Sequence, residues 1–280
     1  MKIETYSLSD LFPGLGESRA TVEAYWQTAD DEIRVTERPA MVIFPGGGYA
    51  FTSHREAEPI ALRFASLGYQ CFVVWYSCKP VRHPLPLLEG AAAVAFVRRN
   101  AVKFGVDPRR IAVIGFSAGG HCAGAVGTLF ADPIVTGPLK VTPAECRPDG
   151  MVLCYPVITA GDKAHVASLH NLLGEETDPD LMAKLSLEAS VTDETPPTFL
   201  WTSANDGTVP CENTLLMAQA LAKHKIPFEV HIWPDLPHGA SLANDQVYPT
   251  GSHHPGINAR VAVWPNECHA FLTEEWRKRG

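Results

Sequence analysis

Ser117, Asp206 and His238 are the residues of this chain whose types and spacing can do covalent chemistry together. A serine hydroxyl is a weak nucleophile near neutrality; it needs an adjacent base, and that base needs a carboxylate to orient it. Ser117 lies in Gly115-Phe116-Ser117-Ala118-Gly119, a G-x-S-x-G pattern between an apolar run and a helix-forming stretch. That pattern sets a serine on a sharp strand-to-helix turn, with glycines two positions either side where a side chain would strike backbone. The helix N-terminus behind it offers unpaired N–H groups to an oxyanion. A serine so placed takes its acid and then its histidine from loops after later strands. Asp206 follows the strand-like residues 198–202, and His238 follows 228–233. Alone, Asp206 before a glycine is also a turn residue, and His238 is one of 11 histidines. Their order and placement join them to Ser117. Asn205 and Asp235 compete for the acid position, but Asp235 is too near His238 on the same loop. Asp193 precedes its strand and falls at the wrong end of the sheet.

The chemistry such a set performs is acyl transfer. Ser117 attacks a carbonyl, His238 takes and returns the proton, and water clears the acyl group. Activity is expected to rise as His238 loses its proton, because only neutral imidazole acts as a base. The developing oxyanion needs donors, each worth about 2.7–4 kcal/mol. Ala118 supplies one backbone N–H. The second is expected from Gly46-Gly47-Gly48, which follows the buried strand 40–44, with Gly47 or Gly48 as the donor. Tyr49 and Phe116 are expected to line the substrate side. Trp201 is a further aromatic candidate, although a tryptophan inside a strand is more often core.

Those residues need a sheet to hold them. Residues 40–44, 70–75 and 111–114 read as apolar strands buried on both faces, and 151–155, 198–202 and 228–233 as further strands. Helical patterns fall between them at 55–67, 87–104 and 213–223, and after them in the last 20 residues. Strands alternating with helices predict a mostly parallel sheet covered on both faces, in one domain spanning 1–280. Residues 20–38 predict an antiparallel hairpin at a sheet edge, and 133–147 a polar connection. Residues 157–195 carry no strand signal and predict a small lid-like excursion with a helical patch near 178–187.

Composition narrows the partners. A net charge of −8 argues against nucleic acid, since phosphate binding needs a basic surface. The first residues lack an apolar leader segment, and no run reaches the ~18 apolar residues of a membrane span. Seven cysteines without framework spacing predict reduced thiols and a cytoplasmic protein. Cys122 and Cys154 fall in apolar surroundings and read as core. No metal is expected: His54, His83 and His121 lack ligand spacing and read as solvated or hydrogen-bonded side chains, and His253-His254 lies in a Pro/Gly loop.

With these residues in view, the chain resembles the α/β-hydrolase superfamily over nearly its whole length. More narrowly, it is similar to the bacterial acetyl xylan or carbohydrate acetyl esterases, with kinship to the hormone-sensitive-lipase-like group. Phe44-Pro-Gly-Gly-Gly-Tyr49, Val81-Arg-His-Pro-Leu-Pro86, Gly115-Phe-Ser-Ala-Gly-Gly-His121, Asn205-Asp-Gly-Thr-Val-Pro210 and Leu236-Pro-His-Gly239 carry the resemblance. It implies a serine esterase without cofactor, acting on acetyl or in some members feruloyl esters of sugars, with Ser117 as nucleophile, His238 as base and Asp206 as its orienter. Two features depart from the pattern. The first glycine loop opens with proline where the lipase-like group has histidine, and residues 247–257 look like a local insertion beside the pocket. The expected partner is a small ester, an acetylated saccharide; a homo-oligomer is compatible with the chain. An amidase or peptidase of the prolyl-oligopeptidase-like type is the rival among enzymes, although the chain has no propeller-length extension. A ligand-binding protein on the same fold is the rival outside them, against which the ordered serine, aspartate and histidine stand.

Overall fold

The structure is a computed structural model, and it describes residues 1–175, 178–249 and 253–279. Eight strands form one sheet: β1 (Lys2–Ser7), β2 (Thr21–Trp26), β3 (Arg38–Phe44), β4 (Gln70–Trp75), β5 (Val106–Phe116), β6 (Gly150–Cys154), β7 (Thr198–Ser203) and β8 (Phe228–Trp233). Their spatial order is β1-β2-β4-β3-β5-β6-β7-β8. β2 pairs antiparallel with both β1 and β4, and every pairing from β4 through β8 is parallel.

The apolar runs alternate between two cores because successive strand residues point to opposite faces. Val42, Phe44, Val113, Leu153 and Leu200 face the core covered by helices Leu85–Arg99, Ala118–Leu129 and Glu212–Lys223. Met41, Ile43, Ile114, Phe116, Cys154 and Trp201 face the other, under helices Glu58–Ser66 and Trp264–Arg277. Each buried branched or aromatic side chain contributes about 1.5–3 kcal/mol, so the middle strands are the most strongly held. They carry the site at their C-terminal ends.

Several boundaries differ from expectation. The hairpin within 20–38 does not form. β2 is present but pairs with β1, while Ile33 and Val35 are about half exposed. The Asp30 carboxylate accepts the N–H groups of Glu32 and Ile33, closing a turn where a second strand would have to run. β1 was not legible because Lys2, Glu4 and Thr5 give an edge strand little apolar alternation. The helix expected at 55–67 starts at Glu58, after a 3-10 turn at His54–Glu56. The 87–104 helix starts at Leu85 and breaks at Asn100, before a last turn at Ala101–Phe104. The 133–147 connection holds two short helices, Pro133–Leu139, capped by Asp132, and Pro143–Cys146, closed by a Thr142/Glu145 capping box.

The 157–195 excursion contains helices Val166–Leu173 and Pro179–Lys184. Within 247–257, positions 250–252 lie outside the described residues. Tyr248 donates its hydroxyl to the Gly239 carbonyl and stacks on His254, so the described part of this segment packs beside the His238 loop. Among the described residues, no single helix is long and apolar enough to cross a membrane.

Candidate active site

β5 ends at Phe116, and the chain reverses into helix Ala118–Leu129 within one residue. Ser117 makes that turn at φ 53° and ψ −119°, a conformation that costs a non-glycine residue of order 1–3 kcal/mol. Backbone bonds hold it there: its N–H donates to the Cys154 carbonyl, and its carbonyl accepts from His121 and Val157. The flanking glycines are required by contact. A Cβ on Gly115 would lie 2.1 Å from the Gly119 carbonyl oxygen, and one on Gly119 would lie 2.2 Å from that of Phe44.

The loops after β7 and β8 bring the other two groups to Ser117. His238 Nδ1 lies 2.7 Å from Asp206 Oδ2, and His238 Nε2 lies 2.8 Å from Ser117 Oγ. A carboxylate only accepts, so Nδ1 carries the proton and Nε2 is left to accept from the serine hydroxyl. Asp206 Oδ1 accepts the N–H groups of Thr208 and Val209, and the carboxylate is 1% exposed. The competing acids are engaged elsewhere. Asn205 Nδ2 donates to Asp235 Oδ1, tying the two loops together, and Asp193 faces His224 at the surface. Such a relay can draw a proton from the hydroxyl into an imidazole of fixed tautomer.

A cavity of about 210 Å³ opens over Ser117, lined on different sides by Gly47, Gly48, Phe51, His165, Thr208 and His238. In the glycine loop, the Gly46 N–H is already donated to Glu56 Oε2 at 2.8 Å. Gly47, at φ 131° with its Cβ position 2.0 Å from the Phe51 carbonyl oxygen, admits no side chain. The N–H groups of Gly47, Gly48 and Ala118 have no partner among the described residues. The loop is held from the excursion as well, since Asn171 Nδ2 donates to the Gly48 carbonyl at 2.9 Å.

Two expected lining residues are not in the cavity. Phe116 is fully buried on the face opposite Ser117, against Tyr155 and Trp264, because neighbours on a strand point to opposite sides. Tyr49, at φ 56°, turns back into the core and places its hydroxyl 2.9 Å from His121 Nδ1. Trp201 is core, at 0% exposure.

Sequence reasoning missed several residues around the cavity, among them Phe51, Ser53, His165, Glu56 and Tyr155. His165, from the excursion, forms one wall, its Nδ1 2.7 Å from Ser168 Oγ. Burial, with His238 adding, pulls its pKa down, so it presents a neutral ring. Glu56 lies beneath the glycine loop, and Tyr155 packs edge-on against His238 with ring centroids 5.1 Å apart. No spacing rule joins these positions to the serine, since each arrives by tertiary packing alone. Among the described residues, no group of three histidine, cysteine or acidic side chains is placed to hold a metal.

His121 and His83, read from sequence as solvated or hydrogen-bonded, lie behind the glycine loop. Burial holds both imidazoles down to about 4, with the Leu185 carbonyl opposing it for His121 and the charges of His121 and Lys184 adding to it for His83. A folded pKa below the unfolded value of 6.5 means that the unfolded chain binds more protons between the two. Stability from these histidines is therefore complete above about pH 6.5 and lost as pH falls towards about 4. The expected result is a lower unfolding free energy from urea titration at pH 5 than at pH 7, with the difference shrinking by about 1–2 kcal/mol in His121→Asn. An undiminished difference in the variant would remove His121 from the account.

Residues 31–221 match the model of the BD-FAE family, more than half of the chain. The chain belongs to that family. It is 38% identical to endo-1,4-beta-xylanase B of Butyrivibrio fibrisolvens over 78% of this chain and 34% of that protein. It is 29% identical to an acetylxylan esterase of Xylanibacter ruminicola over 71% of this chain and 40% of that one. The chain thus spans between a third and two fifths of these curated relatives. Among solved structures, an acetyl ester-xyloside bifunctional hydrolase from Caldicellulosiruptor lactoaceticus is 38% identical, with a TM-score of 0.81 over 97% of this chain and 96% of that one. The family membership and these neighbours make the fold that of an α/β hydrolase.

Proposed function

We propose that this BD-FAE family member is a serine carboxylic-ester hydrolase that removes small acyl groups, chiefly acetyl, from sugars through an acyl-enzyme. The observation that carries the reading is the hydrogen-bonded series Ser117–His238–Asp206 opening into a small cavity beside uncommitted N–H groups of Gly47, Gly48 and Ala118. In this reading, His238 Nε2 takes the Ser117 proton as Oγ attacks the ester carbonyl. Asp206 holds the imidazolium, and the glycine and Ala118 N–H groups receive the oxyanion. Collapse returns the proton from His238 to the leaving alkoxide. A water then repeats the sequence against the acyl group. No cofactor enters this scheme.

Size and lining support a small acyl group on a polar alcohol. The cavity of about 210 Å³ is bounded by Ser53, Thr208 and His165 as well as by Phe51. The names of the xylan-active and acetyl-ester-active relatives support acetylated saccharide as the substrate class. The excursion at 157–195 acts as a wall and partial lid, a role supported by His165 and by the Asn171 bond to the glycine loop. The seven free cysteines support a cytoplasmic setting.

The test is hydrolysis of p-nitrophenyl acetate, butyrate and octanoate alongside acetylated xylooligosaccharide. Acetate is expected to exceed octanoate by at least about tenfold in kcat/KM, with acetate released from the sugar. Equal or better rates on octanoate, with the sugar untouched, would move the protein to a general carboxylesterase.

A further inference from the structure

We propose that Glu56 is a positioning residue of the ester hydrolysis inferred above, locking the loop that carries the oxyanion donors to the loop that carries His238. The proposal rests on that reading. Glu56 is a buried carboxylate, 3% exposed, for which the relay itself has no use. It occupies the 3-10 turn before helix Glu58–Ser66, which aims its side chain under the glycine loop instead of along the helix. Both of its oxygens are acceptors in use. Oε2 takes the Gly46 N–H at 2.8 Å, and Oε1 takes the Tyr155 hydroxyl at 2.6 Å. A Cβ built on Gly46 would lie 2.7 Å from Glu56 Oε2 and 3.2 Å from Ser117 Cβ, so the carboxylate lies close beneath the nucleophile.

Tyr155 carries the connection onward. Its hydroxyl, having donated to Glu56, accepts the Ser241 N–H at 3.0 Å, while its ring supports His238. Ser241 closes the circuit by donating its own hydroxyl to the Arg55 carbonyl, the residue before Glu56. Tyr155 and Ser241 both sit at positive φ, 38° and 53°, strained backbone that this network holds. The loops from the ends of β3 and β6 therefore meet on one carboxylate, and the loop from the end of β8 joins them through the Tyr155 hydroxyl and the Arg55 carbonyl. Burial pushes the Glu56 carboxyl up, and the Tyr155 hydroxyl and Gly46 N–H oppose that shift. Two donors aimed at two oxygens suit the ionised form, because a proton on either oxygen would face a donor.

The assignment predicts that the ester reaction loses turnover, not binding, when this acceptor pair is broken. Glu56→Gln preserves shape but sets an NH2 against either Gly46 N–H or the Tyr155 hydroxyl. With p-nitrophenyl acetate, kcat per titratable serine is expected to fall by about tenfold to a hundredfold while KM stays within about twofold. The rate of Ser117 phosphorylation by diethyl p-nitrophenyl phosphate, read as released p-nitrophenolate, should fall in proportion. Normalising to titratable serine separates this from a loss of folded protein, which lowers the number of sites but not the turnover of each. Should Glu56→Gln fail to fold, Tyr155→Phe keeps the ring against His238 and removes only the hydroxyl. It is expected to lose about fivefold or more in kcat by the same measure. Turnover per site within about twofold of wild type in the folded variant would overturn the proposal. The underlying reading fails by a different sign: a wild-type protein not labelled at Ser117, or a Ser117→Ala variant labelled at the wild-type rate.

Discussion

Ser117→Ala is expected to reduce kcat for p-nitrophenyl acetate by about 10⁵–10⁶-fold with KM and thermal stability nearly unchanged. The effect is this large because Ser117 Oγ is the hydroxyl hydrogen-bonded to the imidazole: it lies 2.8 Å from His238 Nε2, with the cavity above it. The residual rate would come from binding and the oxyanion donors acting on water. Stability should hold because alanine meets the same backbone conformation that serine does, and the bonds fixing the turn are all made by the main chain. Steady-state kinetics reads the first and a thermal melt the second. A variant keeping more than about a tenth of wild-type turnover would place the nucleophile elsewhere.

Asp206→Asn is expected to cost about 10⁴-fold in kcat, and the structure gives a specific reason. Oδ1 faces two backbone donors, the N–H groups of Thr208 and Val209, at 2.9 and 3.0 Å. An asparagine must present its carbonyl oxygen to that pair, which turns its NH2 towards His238 Nδ1. The imidazole then accepts at Nδ1 and carries its proton on Nε2, pointing at Ser117 as a donor. The base is in place but in the wrong tautomer. Asp235→Asn provides the contrast, because Asp235 pairs with Asn205 and does not reach the imidazole. Its loss should stay within about tenfold. Equal losses from the two aspartates would remove Asp206 from the orienting role.

Strands β3 to β7 were legible because each is largely apolar and fills two cores at once, and β8 because its apolar residues alternate with Glu229 and His231 at the sheet edge; the serine, aspartate and histidine were legible because each follows such a strand. What stayed hidden shares a cause. Glu56 and Tyr155 are 99 residues apart, and the bond between them has no local signature. Lys2–Ser7 pairs at the sheet edge, where one apolar face suffices and alternation is weak. Tyr49 and Phe116 misled because they neighbour cavity residues in sequence, yet β5 and the glycine loop turn both side chains inward. The excursion was recognised as a segment without strands. Its grip on the glycine loop depends on Asn171, an ordinary helical position until folding sets it opposite Gly48.

That grip bears on how relatives of this protein can be rebuilt. Exchanging residues 157–195 is the obvious way to graft a new substrate preference, since His165 from this segment lines the cavity over Ser117. Such a graft would also remove the Asn171 amide from the Gly48 carbonyl and the Leu172 carbonyl that accepts the His83 N–H. A transplanted segment must therefore bring its own donor for Gly48, or the recipient will trade turnover for its new selectivity.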